Sequence, residues 1–311
     1  MHYRLSTLRI TIDEGIKYIT SIMKKSSKHY ILTVTCPARS GIIAAISNYL
    51  SIKDCYVNKM NQYDDEVEKH LFCRIEFYLD PEKSPSINVL REGLHPIAEQ
   101  FSMNWQICDK DRMMRVLIMV SKEDHCLTDL LYRKNKGELA MDVTAVVSNH
   151  IDLRPIVERE GIRFVYLPID KQHSKQEQEA RLLELIEETD SELVVLARYM
   201  QILSENICTH LQGRCINIHH SFLPGFKGAR PYHQAYARGV KLIGATAHYV
   251  TSDLDEGPII EQVVERVDHT QLPKELSALG RDMENSALAK AVRYHIERRV
   301  FVDNIKTVIF R

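Results

Sequence analysis

Short apolar runs alternate with amphipathic stretches of helical spacing through the second half of the chain. Five runs have the length and composition of buried strands: 116–120, 143–147, 164–167, 193–197 and 215–218. Four stretches between them have helical spacing: 127–133, 153–160, 176–188 and 205–211. Apolar strands connected through helices are typical of a parallel sheet that is covered on both faces. Residues 111–311 are therefore predicted to form an α/β domain with a Rossmann-like, mostly parallel sheet.

After residue 218 the alternation becomes less regular. We predict a helix at 231–237, β-rich segments at 242–250 and 259–267, and a long helix at 273–299. Pro231 and Pro273 suit the first turn of a helix, where the missing N–H is no loss.

Residues 30–110 follow a different order. Strand-like and helical patterns succeed each other as strand, helix, strand, strand, helix and strand: 30–35, 42–50, 57–63, 71–79, 86–100 and 102–108. This βαββαβ order predicts a separate small α+β domain. The boundary is expected in the charged stretch 109–112, and residues 1–29 form an N-terminal extension.

Composition excludes several classes of protein. Hydrophobic residues make up 44% of the 311 residues and charged residues 27%, and the formal net charge is -1. We therefore expect a folded protein that lacks the positively charged surface needed to bind nucleic acid. No apolar run approaches the roughly 20 residues of a membrane span. Seven cysteines without a C-x-x-C pair predict neither a disulfide framework nor a zinc knuckle, which favours a cytoplasmic location.

The end of the strand at 215–218 carries an amide and imidazoles. Asn217 and His219 fall where ligands bind in open α/β sheets, and Asp255 follows in a tight turn between two β-rich segments. An amide and a protonated imidazole can stabilise developing negative charge on a carbonyl oxygen, and a carboxylate can accept a proton from water. These residue types predict carbonyl addition coupled to proton transfer.

Each candidate also has a purely structural interpretation. Asn217 could cap its loop, and His220 is better explained by packing or hydrogen bonding than by catalysis. His248 lies in a β-like run and could be a core histidine that supports Asp255. The histidines and Asp255 are metal-ligand types, but their spacing matches no known metal motif, so no metal is expected.

Several spaced motifs resemble the 10-formyltetrahydrofolate-dependent formyltransferase family. They comprise Asn-Ile-His-x-Ser-x-Leu-Pro from Asn217, Gly-x-Thr-x-His ending at His248, and Leu-Asp-x-Gly-Pro-Ile-Ile around Asp255. The longer string from His219 to Tyr236 is similar to the branch that hydrolyses 10-formyltetrahydrofolate. The βαββαβ unit, with Cys-Pro-Ala-Arg-Ser-Gly at 36–41, resembles an ACT domain.

The resemblance implies hydrolysis of 10-formyltetrahydrofolate to formate and tetrahydrofolate, within one-carbon and purine metabolism. It also implies that Asn217, His219 and Asp255 are the catalytic residues and that the reaction needs no cofactor. It also implies a slot for the folate, formed by Arg198, Tyr199, Met200, Ile202, Leu203, His248, Val250 and Asp253. An ACT-like domain implies a homo-oligomer and an amino-acid effector near Arg39, Ser40 and Gly41, with oligomerisation alone as the alternative.

The loop at 121–126 separates hydrolysis from transfer. Formyltransferases that act on glycinamide ribonucleotide have a glycine-rich loop there, which binds phosphate through backbone N–H groups. This loop reads Ser-Lys-Glu-Asp-His-Cys, with no glycine and two acids, which disfavours a phosphate. Water is then the expected nucleophile. Formyl transfer to an unidentified amine is the alternative, and an amino-acid-binding protein with an inert second domain is a further one.

Overall fold

The computed structural model describes residues 27–170, 174–223 and 231–311, so most of the predicted N-terminal extension lies outside the described residues. Residues 224–230, which belong to the motif string from His219 to Tyr236, and residues 171–173 lie outside them as well. The chain divides into two compact units, one ending at Arg112 and one beginning at Met113.

In residues 27–112, the N-terminal unit has a four-stranded antiparallel sheet and two helices. Its elements are β1 His29–Pro37, α1 Ile42–Ile52, β2 Cys55–Asp65, β3 His70–Leu79, α2 Ile87–Phe101 and β4 Asn104–Asp109. The strand order is β2-β3-β1-β4. One core joins both helices to the sheet through residues such as Leu32, Ile46, Phe77 and Leu90. The predicted βαββαβ order and ACT-like fold are confirmed.

The second unit is built on a seven-stranded sheet. Its strands are β5 Met114–Val120, β6 Met141–Ser148, β7 Phe164–Tyr166, β8 Leu193–Leu196, β9 Cys215–His219, β10 Leu242–Tyr249 and β11 Ile259–Arg266. Its helices are α3 His125–Asn135, α4 Arg154–Arg159, α5 Lys175–Glu188, α6 Glu205–His210, α7 Pro231–Arg238 and α8 Pro273–Ile296. The sheet order is β11-β10-β9-β8-β5-β6-β7.

Helices cover both faces of the parallel part of this sheet. Five neighbouring strands of the sheet pair in parallel, in the order β7, β6, β5, β8 and β9. β10 pairs antiparallel with β9, and β11 pairs antiparallel with β10. Val116 and Ile118 of β5 belong to one core, while Leu117 and Met119 belong to the core on the opposite face. The predicted mostly parallel sheet is therefore confirmed, and both faces are apolar because both are buried.

The C-terminal end of the chain departs from the prediction. The helix predicted over 273–299 ends at Ile296 and is followed by a hairpin of β12 Val300–Asp303 and β13 Lys306–Ile309. Arg298, just after the helix, and Asn304, in the turn of the hairpin, have left-handed backbones with φ of 55° each. No glycine occupies either position, so the sequence lacks the usual signal for these two reversals.

None of the helices in the described ranges is long and apolar enough to cross a membrane. All seven cysteines are free thiols, and six of them are buried.

Candidate active site

A cleft opens where β8 and β9 end and where the chain turns after β10. It is bordered by the loop that follows β8 and by the turn at residues 251–255. The cleft is lined by every residue that the sequence placed in the catalytic group or the folate slot: Asn217, His219, Asp255, Arg198, Tyr199, Met200, Ile202, Leu203, His248, Val250 and Asp253. His220 also lines it.

Strand β9 presents its two polar side chains on one face. Side chains alternate along a strand, so Asn217 and His219 point to the same side and Ile218 points to the opposite side, where it joins a core. β9 pairs in parallel with β8 and antiparallel with β10. The cleft thus lies where the sheet changes from parallel to antiparallel pairing.

Asn217 lies directly opposite His248 across the β9–β10 pair. Its Nδ2 is 3.2 Å from His248 Nε2, and His248 Nδ1 is 2.9 Å from the carbonyl oxygen of Tyr249. The carbonyl can only accept, so His248 carries its proton on Nδ1 and accepts from Asn217 at Nε2. Burial lowers the pKa of His248, which keeps the ring neutral. His248 therefore orients the amide and leaves the second Nδ2–H free to donate.

His219 and Asp255 form the second contact of the cleft. Nδ1 of His219 lies 3.2 Å from Oδ1 of Asp255, and both side chains are largely buried. The hydrogen bond from His219 lowers the pKa of Asp255 against the opposing effect of burial. A carboxylate at this position holds a proton on Nδ1 of His219. The Nε2 atom of His219 is buried and has no hydrogen-bond partner among the described residues.

The turn that carries Asp255 is tightly constrained. Asp255 has a left-handed backbone with φ of 59°. Two residues later, a Cβ on Gly257 would clash with the carbonyl oxygen of Tyr249. Glycine is required there because the turn packs directly against the end of β10.

Buried polar groups hold the loop after β8 in place. The backbone N–H of Met200 donates to Ser121 Oγ at 3.0 Å, and Gln178 Nε2 donates to the Tyr199 hydroxyl at 2.8 Å. The N–H of Ser204 donates to Glu179 Oε1 at 2.8 Å. The loop is thus fixed by groups from the end of β5 and from α5, which gives the cleft a preformed wall.

Arg198 extends from this loop toward two residues on other elements. Its Nη1 is 2.6 Å from His220 Nδ1, and its Nε is 3.4 Å from Oε2 of Glu284 on α8. Glu284 also lies 2.8 Å from His125 Nε2 and accepts from the Tyr232 hydroxyl at 3.1 Å. Sequence reasoning missed Glu284, because a single acid within a long helix predicts an exposed face. Its apolar neighbours at helical spacing, Met283, Ala287 and Leu288, were the available signal of burial.

Among the described residues, one group of three metal-ligand types lies close together: His125, Cys126 and Glu284. Burial strongly raises the pKa of the Cys126 thiol. The carboxylate of Glu284 already pairs with His125 and Arg198.

The residues proposed for an effector lie in the N-terminal unit. Arg39, Ser40 and Gly41 are exposed and precede α1, with Gly41 at its N-cap in a left-handed conformation. No side chain caps this helix N-terminus.

Comparison with known proteins identifies the class. The family described as Formyl transferase matches residues 114–292, which covers the whole sheet of the second unit. A phosphoribosylglycinamide formyltransferase from Anaplasma phagocytophilum is 28% identical with a TM-score of 0.59, and the match covers 64% of this chain and 95% of the other. Fold and site thus define a formyl transferase-type domain.

Relatives that match both units narrow the assignment. A formyltetrahydrofolate deformylase from a Corynebacterium species is 50% identical over 290 residues, which is 93% of this chain and 100% of the relative. The Bacillus subtilis formyltetrahydrofolate deformylase is 46% identical, over 90% of this chain and 93% of the relative. The crystal structure of the Burkholderia mallei enzyme of that name has a TM-score of 0.87 at 51% identity and covers 91% of this chain and 100% of its own. The chain belongs to the formyltetrahydrofolate deformylase family.

Proposed function

We propose that this protein hydrolyses 10-formyltetrahydrofolate to formate and tetrahydrofolate. The observation that carries the proposal is the convergence of Asn217, His219 and Asp255 on one cleft at the end of β9. The relatives at 50% and 46% identity are named for this substrate and this reaction. Formyl transfer to an amine is not favoured, because the formyltransferase structure matches only 64% of the chain.

The contacts in the cleft assign a role to each group. The formyl oxygen accepts one hydrogen bond from the free Nδ2–H of Asn217 and one from Nε2–H of protonated His219. Water attacks the formyl carbon, and Asp255 accepts the proton of that water and relays it to N10 as the C–N bond breaks. Both donors act where negative charge develops, and one such donor is worth about 10²- to 10³-fold in rate.

The folate slot is proposed to lie beside this group. Ile202, Leu203 and Val250 supply apolar surface, and the backbone of the fixed loop supplies polar groups that a flat heterocycle can pair with. Met200 and Ile202 are more than half exposed, so they can cover a bound ring. Asp253 lies in the turn that leads to Asp255.

The first experiment follows formate and tetrahydrofolate after 10-formyltetrahydrofolate is added to chelator-treated protein without an amine. Stoichiometric release of both is expected, because the proposed steps use protein groups and water alone. Asp255→Asn should lower kcat at least about 10²-fold. Glu256→Gln, an exposed acid in the same turn, is the matched control and should retain full activity.

Three results would contradict the proposal. Turnover that requires an amine would assign a transferase. Turnover that is lost on chelation and restored by a metal would contradict the metal-free mechanism. Full activity in Asp255→Asn would remove Asp255 as the base.

The N-terminal unit is proposed to join copies of the chain and to bind an amino-acid effector. The fold of this unit is ACT-like, and the uncapped N-terminus of α1 next to Arg39 suits a carboxylate. Titration of glycine and of methionine during turnover tests the effector. A flat response to both, with an oligomer seen by light scattering, would leave oligomerisation as the role of this unit.

A further inference from the structure

Arg198 adopts a backbone conformation that arginine rarely takes. Its φ is 65°, in the left-handed region, where a residue with a Cβ is strained by about 1–3 kcal/mol. Its side chain is only 15% exposed, although arginine is normally solvated. Strain and burial at one residue beside the cleft indicate that the position of the guanidinium matters.

The guanidinium determines which ring nitrogen of His220 carries the proton. Arg198 Nη1 lies 2.6 Å from His220 Nδ1. A guanidinium only donates hydrogen bonds and stays protonated, so Nδ1 of His220 must accept. A proton on Nδ1 would face the positive charge directly. The proton of His220 therefore resides on Nε2.

Glu284 holds the guanidinium in this position. The carboxylate is 2% exposed and lies 3.4 Å from Arg198 Nε. Burial raises its pKa, but the hydrogen bond from His125 and the charge of Arg198 outweigh burial and lower it. With His125 at 2.8 Å and Tyr232 at 3.1 Å, the carboxylate is fixed in position. If Arg198 turned away, the buried carboxylate of Glu284 would lose its contact with the guanidinium charge, which is costly inside a protein.

Among the described residues, the charged and titratable groups around His220 are Arg198, His219, Glu284 and Asp255. Its ring stacks on that of His219, with centroids 5.1 Å apart, and Asp255 lies beyond His219. Burial, Arg198 and His219 lower the pKa of His220 to about 4, against the opposing charges of Glu284 and Asp255. His220 is therefore neutral at physiological pH.

We propose that Arg198 and Glu284 are positioning residues that fix His220 with its proton on Nε2, and that this N–H binds the attacking water. His220 lines the cleft, and within the described ranges no protein group pairs with its Nε2. A formyl oxygen has two lone pairs, which Asn217 and His219 fill in the proposed function. The Nε2–H of His220 is a third donor, and it then faces the other reactant, which is the attacking water.

This assignment rests on the proposed hydrolysis and completes its geometry. The water accepts the N–H of His220 through one lone pair, attacks the formyl carbon with the other, and donates its proton to Asp255. The carbon–oxygen bond forms, the bond from the formyl carbon to N10 breaks, and the proton ends on N10. His220 itself neither gains nor loses a proton.

The protonation of His220 is tested by ¹⁵N chemical shifts of the histidine rings in the full-length protein. Loss of its signals in His220→Gln assigns them. An unprotonated Nδ1 and a protonated Nε2 are expected from pH 5 to pH 8, the range in which free histidine titrates. In Arg198→Met the pKa of the ring should rise, because one of the groups that lowers it is gone, and the proton should no longer be confined to Nε2. If that variant does not fold, the wild-type spectrum alone shows which ring nitrogen of His220 carries the proton. A proton on Nδ1, or titration of wild-type His220 in this range, would overturn the proposal.

The role of the N–H is tested by turnover of 10-formyltetrahydrofolate. His220→Leu should lower kcat about 10²-fold with little change in KM, as expected for loss of one preorganised donor. His220→Gln keeps an N–H donor and should recover most of that loss. His269→Gln, an exposed histidine outside the cleft, is the control and should match wild type. Equal turnover in wild type and His220→Leu would overturn the role of His220. Absence of turnover in the wild type would instead overturn the proposed function, while the ring shifts still decide the tautomer.

Discussion

Asn217 and His248 depend on each other, although they lie 31 residues apart in sequence. His248 accepts from the amide at 3.2 Å, which is closer than its 3.8 Å approach to Asp255. The main effect of His248 on the cleft is thus to orient Asn217. The amide would otherwise rotate between two orientations, only one of which presents an N–H to the formyl oxygen.

A double-mutant cycle tests this dependence. Asn217→Ala should lower kcat about 10²- to 10³-fold, and His248→Ala should cause a smaller loss because the amide can still adopt its active orientation part of the time. The double variant should be no slower than Asn217→Ala, since groups that act as a unit are not additive. Multiplicative losses in kcat, measured on variants with native circular dichroism, would show that the two residues act independently.

The side chains of the cleft differ in how far the sequence reveals them. Asn217 and His219 were predictable because they lie at the end of an apolar strand, and Asp255 because it lies in a Gly-Pro turn. Glu284 was not, because its partners Arg198 and His125 lie 86 and 159 residues away along the chain. Contacts at that separation depend on how α8 packs on the sheet, which no local pattern reports.

At the scale of elements, the turn between β10 and β11 sets the position of Asp255. The turn packs so closely on Tyr249 that only a hydrogen fits at Gly257. Tyr249 is buried in the core beneath the sheet, so its carbonyl cannot move aside. The turn and the strand therefore behave as one rigid piece.

Gly257→Ala should displace this turn and with it Asp255. We expect a loss of about 1–3 kcal/mol in the free energy of unfolding, typical of overpacking, together with a large fall in kcat. Gly161→Ala provides the contrast, because Gly161 has φ of 69° in open space and should lose stability alone. Urea denaturation and turnover of both variants provide the measurement. Retained kcat in Gly257→Ala would mean that the turn is not rigid.

The order of strands and helices was predictable from the hydrophobic periodicity of the sequence. The hairpin β12–β13 was not. Strands β5 to β9 are apolar runs bounded by polar residues, and both the order and the parallel sheet were predicted from that pattern. The hairpin β12–β13 has strands of four residues each. Runs this short, next to the end of a long helix, have too few residues to show a period of two.

At the scale of the whole molecule, each of the two units has its own core and its own buried charges. In the N-terminal unit, Glu76 is buried and lies 2.6 Å from both Arg74 and Lys110. Burial raises its pKa, but the hydrogen bonds from these two cations outweigh burial and lower the pKa to about 2. Trp105, the single tryptophan, lies in the same unit on β4, so its fluorescence reports on that unit alone.

The stability of this unit should fall on acidification in a defined window. The folded pKa of Glu76 lies below its unfolded value of about 4.3, so its contribution is present above that pH and is lost as pH falls toward 2. Glu76→Gln should be less stable at pH 7 and lose less stability between pH 4 and pH 2, as measured by urea denaturation with tryptophan fluorescence. Glu66→Gln, an exposed acid in the same unit, should behave as wild type. If the stability of Glu76→Gln depends on pH in the same way as that of the wild type, other groups cause the loss of stability in acid.

Catalytic activity depends on the register in which β9 pairs with β10, so turnover measures whether these strands are correctly aligned. A shift of one residue along β9 would turn the side chain of Ile218 toward the cleft and the side chains of Asn217 and His219 toward the opposite core. Such a misaligned chain would keep its helices and most of its circular dichroism, yet it would have no reactive group in place. After refolding, the ratio of recovered turnover to recovered helical signal would therefore count the fraction of molecules whose sheet has closed in the correct register.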